Sequence, residues 1–369
     1  MSDVIVVGGG VVGLLSAWTL AQEGLNVRLL ERGETGREAS WAGGGIVSPL
    51  YPWRYSLAVA NLAHWSQDFY PNLAQRLLDD TGVDPEVHVT GLYWLDLDDQ
   101  QAALAWAREH GRPLEEVPLA AVREAVPALG EGFERAVYMR GVANVRNPRL
   151  GRSLRQALAL SPRVEVEEGV EVQGFIVDSG RISGVWTARG EFRAERVVLA
   201  AGAWSGELLA SLGLSLPVAP VKGQMILYRC AEDFLASMVL AKGRYAIPRR
   251  DGHVLVGSTL EHVGFDKTPT QEALASLRAS AEELLPALKA MEPVRQWAGL
   301  RPGSPEGIPF IGELEAFPGL WLNTGHYRNG LVLAPASCRL LADLMLARAP
   351  IIDPRPYAAT GRLVPTALV

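Results

Sequence analysis

The chain has 369 residues, 48% hydrophobic and 21% charged, with a formal net charge of −6. That length predicts two intimately packed domains with a core large enough to need no disulfide staples. The acidic balance leaves no basic stripe to neutralise phosphates, which argues against a nucleic-acid partner, and no apolar run approaches the ~20 residues of a membrane span.

An apolar strand, Val4–Val7, comes first, with no basic segment or cleavage site before it, so a cytoplasmic location is expected. It runs straight into Gly8, Gly10 and Gly13 of the segment GGGVVG. A helical stretch follows from Val11 to Gln22, with Gly24 placed to stop it. A second apolar strand, Val27 to Leu30, ends at Glu31. Strand, glycine turn, helix, strand and acid together form the dinucleotide-binding fingerprint in its proper context. Gly8 permits the tight turn, Gly10 admits a pyrophosphate to the backbone, and Gly13 seats the helix on the strand. The helix N-terminus offers free N–H groups and partial positive charge to phosphates. Glu31 is expected to accept hydrogen bonds from the two adenosine ribose hydroxyls. An acid there disfavours a 2′-phosphate, hence NADP, but leaves NAD and FAD open.

Further along, a helix is expected over residues 57–80, and short strands with a helix over 145–217. Alternating strands at Met225–Tyr228, Tyr245–Pro248 and His253–Val256 follow, the last two joined through Asp251-Gly252 as a hairpin. Cys230 and Cys338 stand far apart without a CxxC and are expected as buried free thiols. The six histidines show no ligand spacing, so no metal is expected. Residues 363–369 carry no motif and are expected to be disordered.

Three later segments separate FAD from NAD by resemblance. The loop Glu38–Ile46 contains Ser40 and the small residues Ala42, Gly43, Gly44 and Gly45. It resembles the flavin-contacting loop of the D-amino-acid oxidase and glycine oxidase families. The run Val197–Ser205, with Gly202 and Trp204, resembles their strand–turn–helix beside the adenosine. Gly325–Ala336, opening Gly-His-Tyr-Arg-Asn-Gly, resembles the C-terminal signature of bacterial glycine oxidases almost residue for residue. It reads as a strand, a turn, and a helix opening near Asn329 whose N–H groups would stabilise negative charge on reduced flavin. The likeness runs from about residue 3 to about residue 357. It also takes in Pro220–Gln224, Trp297–Gly303 and Pro309–Gly312.

The resemblance implies an α/β fold: a Rossmann-type FAD-binding domain with an antiparallel-sheet (α+β) substrate domain. The first would be discontinuous, residues 1–86, 145–217 and 302–369; the second would use 87–144 and 218–301. Non-covalent FAD would meet the glycine turn with Val12, Glu31 and Arg32, the loop from Ser40 to Gly45, and Val170. Gly202, Trp204, Arg328, Asn329, Gly330 and Leu331 complete the expected cofactor set.

Arg301 would bind the substrate carboxylate with its planar fork, and Tyr245 and Arg328 would help orient the substrate. From spacing alone Arg301 would read as a surface residue before a Pro-Gly turn. No His–carboxylate pair or nucleophile stands out, which suits hydrogen transfer from the Cα of a neutral amine to flavin, a step needing positioning rather than an acid or base. The resemblance thus implies oxidation of glycine, sarcosine or small D-amino acids by molecular oxygen, a homotetramer, and service to thiamine thiazole synthesis.

Four rival readings remain beside it: an oxidase of sarcosine or other N-alkyl glycines, a D-amino-acid dehydrogenase, a non-catalytic nucleotide-binding module and a plain NAD-dependent dehydrogenase. Many sarcosine oxidases tether flavin through a cysteine in the segment corresponding to Arg301–Ile311, where this chain has none. A D-amino-acid dehydrogenase with a non-oxygen acceptor would favour a membrane-binding stretch, and none is evident. A non-catalytic nucleotide-binding module would be free to lose Arg301 and the His-Tyr-Arg-Asn-Gly segment, yet both are present.

Overall fold

In a computed structural model, which describes residues 2–365, the run Val4–Val7 is an interior strand of a six-stranded sheet. All four residues are buried, as suits a parallel strand covered on both faces. Alternation sends Val4 and Val6 to one core and Ile5 and Val7 to another. Helices Val11–Gln22, Leu57–Thr81, Asn147–Leu160 and Gly330–Met345 supply the first core. The second is closed by the antiparallel strands Val172–Asp178, Arg181–Thr187 and Gly190–Arg193.

The six-stranded sheet runs Phe310–Glu313, Leu320–Thr324, Arg196–Leu199, Val4–Val7, Val27–Glu31, Val164–Glu168. Its pairs are parallel except at the Phe310–Glu313 edge. Val4 lies beside Arg196 on one side and Val27 on the other. The first helix spans Val11–Gln22 and gives way to Gly24, which takes φ +93°. The helix Leu57–Thr81 ends on Gly82 in the left-handed conformation, a common helix stop.

An eight-stranded sheet runs Arg295–Gly303, Ala219–Arg229, His253–Gly257, Arg244–Pro248, Met238–Ala241, Leu92–Leu95, Ala136–Met139, Leu114–Glu116. The hairpin about Asp251-Gly252 is present, with Gly252 at φ +80°. The expected antiparallel sheet needs one correction, since Met238–Ala241 pairs parallel with Leu92–Leu95. These strands come from distant segments, so no hairpin dictates their direction. Helix Gln271–Leu284, capped by the Thr270 side chain, closes the outer face.

Two smaller expectations also change. Cys338 is buried, but Cys230, at the end of a strand, is only partly so. Val364–Pro365 pairs with Leu214–Ser215, so order persists past residue 363; the rest of that expectation, residues 366–369, lies outside the described residues. Among the described residues no helix is long and apolar enough to cross a membrane.

Candidate active site

The glycine turn is shaped by contact as well as by torsion. Gly8 adopts φ +106°, and a Cβ there would come within 2.6 Å of the Ala200 carbonyl oxygen. A Cβ on Gly13 would overlap the Gly8 carbonyl, so the first helix can approach its strand only with glycine at that position. Ser40 Oγ accepts the Val11 N–H at 2.8 Å. Other first-turn N–H groups have no partner within the helix and suit an anion. Glu31 is held by the N–H groups of Gly9 (2.7 Å) and Gly33 (2.8 Å), one on each oxygen. Each oxygen keeps lone-pair capacity for a diol.

Between the two large sheets lies a cavity of about 430 Å³. Every residue expected at the cofactor or substrate lines it except Gly13, which sits behind the turn. The Arg32 guanidinium lies 3.9 Å from the centre of the Trp204 ring. Phe265 stacks on the same indole, with centroids 5.4 Å apart. Lys267 Nζ bonds both carboxylate oxygens of Glu38, at 2.9 and 3.0 Å. Residues 261–268 therefore strap the cavity, crossing from the strand Ala219–Arg229 to Trp204 and Glu38 on the other side.

Two lining residues carry orphaned polar atoms: Asn147 Oδ1 and Asn329 Nδ2 are buried and lack partners. They offer one acceptor and one donor to a bound molecule. Asn329 sits at the cap position of helix Gly330–Met345, whose N-terminus also opens on the cavity. Glycine cradle, diol-facing acid, two helix N-termini and unpaired amide atoms fit FAD.

In the same cavity wall Arg301 leans over Gly223, where any Cβ would overlap its guanidinium. It donates to the carbonyls of Lys222 and Thr259, both at 3.2 Å, and to Ser258 Oγ at 2.8 Å. These acceptors are neutral, and among the described residues no carboxylate forms an ion pair with it. Burial pushes its pKa down from the ordinary arginine value. Even so, a guanidinium keeps its proton in a protein.

Tyr245 packs against Gly44 and Gly257, its hydroxyl 3.6 Å from Met225 Sδ. Arg328 is exposed on the same cavity and, among the described residues, forms no ion pair. It follows Tyr327, a non-glycine residue at φ +48°, a conformation that costs energy and recurs at functional sites.

His326, left without a role by the sequence, is fully enclosed and bonds Ser337 Oγ through Nε2 at 2.7 Å. Ser337 donates to Asn323, and Asn323 donates to Ser16 Oγ at 3.1 Å. Since Ser337 has one hydroxyl proton, the imidazole must donate from Nε2. Burial pushes its pKa down to about 3, which keeps it neutral. Sequence reasoning passed over Asn147, Ser258, Met225 and Asn323, whose side chains lack any local motif.

A parallel-sheet nucleotide unit facing a second sheet with an unpaired arginine defines a flavin-dependent oxidoreductase. The chain matches the family model described as FAD dependent oxidoreductase over residues 3–344, and it belongs to that family. A glycine oxidase of Pseudomonas aeruginosa is 73% identical over 360 residues, covering 98% of this chain and 99% of that one. A bifunctional protein ThiO/ThiG of a Nostoc species is 34% identical over 350 residues, 93% of this chain and 52% of that protein. The crystal structure of glycine oxidase from Geobacillus kaustophilus superposes with TM-score 0.90 at 33% identity, covering 97% of this chain and 98% of that one.

Proposed function

We propose that this chain oxidises the amine of glycine and of other small amines, sarcosine and small D-amino acids among them. The products are a 2-oxo acid, ammonia or a primary amine, and hydrogen peroxide. The observation that carries the reading is Arg301, a cation without an anion in the wall of the cavity that the nucleotide turn also lines. A substrate carboxylate supplies the missing partner.

The Arg301 fork, fixed by Lys222, Thr259 and Ser258, holds a carboxylate in one plane and so sets the direction of the Cα. Tyr245 walls that position, and Arg328 adds a second positive charge at the mouth. FAD, when bound, supplies the acceptor for the Cα hydrogen and passes the electrons to oxygen. Among the described lining residues there is neither a cysteine nor a charged carboxylate beside Arg301. This supports non-covalent retention and a reaction in which the substrate arrives as the neutral amine.

On this reading residues 1–86, 145–217 and 302–369 serve the cofactor and 87–144 and 218–301 the substrate. The enzyme would work in the cytoplasm as a homotetramer, and likeness to a ThiO/ThiG protein supports a place in thiamine thiazole synthesis. The deciding experiment is a peroxide assay of the purified yellow protein against glycine, sarcosine, D-alanine and D-proline. Peroxide from glycine is expected; dye reduction without peroxide would favour a dehydrogenase instead.

A further inference from the structure

Arg249, just after the strand Arg244–Pro248, is 8% exposed. Its Nη1 donates to Asn144 Oδ1 at 2.8 Å and to the Val145 carbonyl at 2.9 Å, and its Nη2 donates to the Gly44 carbonyl at 2.7 Å. All three acceptors are neutral. The neighbouring carboxylates are engaged elsewhere: Glu86 with Arg146 at 3.3 Å and Arg149 at 3.2 Å, Asp251 with Arg146 at 2.7 Å and His253 at 2.9 Å. Burial pushes the guanidinium down to about 10, still charged at neutral pH.

A buried cation without an anion is costly, and Arg249 offsets part of that cost by satisfying three buried acceptors that would otherwise lack a donor. Its Gly44 bond also reaches the cofactor site, because Gly44 is part of the cavity wall. A Cβ on Gly44 would stand 3.1 Å from Ile247 and 3.2 Å from Tyr245, so the loop lies directly on the strand. The next residue, Gly45, takes φ +81°, and its carbonyl accepts the Val145 N–H at 2.8 Å. A trans peptide points its C=O and N–H in opposite directions. Drawing the Gly44 carbonyl toward Arg249 thus turns the Gly45 N–H away from it, to the open side of the loop.

We infer that Arg249 is a positioning residue: it locks the Gly43–Gly45 loop so that the Gly45 N–H serves the bound flavin, while its uncompensated charge favours the reduced, electron-rich cofactor. This role rests on FAD occupying the cavity.

Holoenzymes carrying Arg249→Gln and Arg249→Lys test it through the flavin midpoint potential and FAD retention on gel filtration. Arg249→Gln, lacking charge and fork, should favour reduced flavin about tenfold less than wild type, which is ~30 mV for a two-electron couple. It should also shed FAD faster. Arg249→Lys keeps the charge but loses the fork, so it should shed FAD faster while staying nearer the wild-type potential. Should the glutamine variant fail to fold, wild-type retention in the lysine variant would overturn the role. A yellow Arg249→Gln with wild-type potential and retention overturns it too and leaves the FAD reading intact. Wild-type protein that takes up no FAD overturns that reading, and the role of Arg249 with it.

Discussion

Arg301 spends its hydrogen bonds on two carbonyls and a hydroxyl, so its charge is oriented but not neutralised. Arg301→Ala should lower kcat/KM by about 30- to 5,000-fold, from the ~2–5 kcal/mol lost when one member of a buried charge pair is truncated. FAD content should stay unchanged; near-normal kcat/KM would remove Arg301 from the substrate. In the wild type the rate should rise with pH as the substrate amine loses its proton. That limb should follow the amine pKa from glycine to its analogues, whereas a constant limb would reveal a base on the enzyme.

His326 bears on stability. Its folded pKa, about 3, lies below the free value of 6.5, so the fold holds the neutral ring. The stabilisation is complete above the free value and is lost as pH falls toward the folded one, at up to ~1.4 kcal/mol per pH unit. Between about pH 7 and about pH 5 the wild-type Tm should fall further than that of His326→Gln. Parallel curves for the two proteins would place the acid sensitivity elsewhere.

At the scale of elements, the strap of residues 261–268 is anchored firmly on its own sheet, where the buried Lys222 Nζ also meets Asp266 at 3.0 Å, and lightly on the far side of the cavity. Glu261 and Lys222 exchange backbone hydrogen bonds at 2.9 and 3.0 Å, and Thr270 caps the following helix. Across the cavity the strap holds by the Phe265–Trp204 stack and the exposed Lys267–Glu38 pair. An aromatic pair contributes ~0.5–1.5 kcal/mol and an exposed ion pair ~0–1 kcal/mol. Phe265→Ala should therefore release FAD ~2- to 12-fold faster, measured as flavin fluorescence recovered after dilution. An unchanged rate would show that the cofactor leaves by another route.

What could be read beforehand follows the same division between local and distant. The glycine turn, Gly8–Gly13, and the start of helix Gly330–Met345 each lie within a dozen consecutive residues, so their chemistry shows in the string itself. The loop holding Gly44 does not, because its fastener, Arg249, stands 205 residues away, and Asn147 reaches Ser40 across 107. Distance in sequence also hid the parallel pairing of Leu92–Leu95 with Met238–Ala241. The sequence marked Arg301 through resemblance; only the fold shows the glycine at 223 that makes room for it.

For the molecule as a whole, the cavity draws on both large sheets, so a cofactor bound there holds them together. Free FAD at about 100 times its Kd should add ~2.7 kcal/mol to native stability. Tm should accordingly climb with added FAD in a stripped preparation, while a flat titration would mean that FAD does not bind the folded chain in preference to the unfolded one.

The interleaving of the sheets along the chain also bears on synthesis. Val4–Val7 is made before its partners: it soon gains Val27–Glu31 as a neighbour, but its other edge waits for Arg196–Leu199, and that strand in turn waits for Leu320–Thr324. Until then a fully apolar strand presents an unsatisfied edge to every other nascent chain nearby, the situation that leads to aggregation. Soluble yield in a cell should therefore rise when that edge is shielded during translation, by chaperones or by slower synthesis at lower temperature.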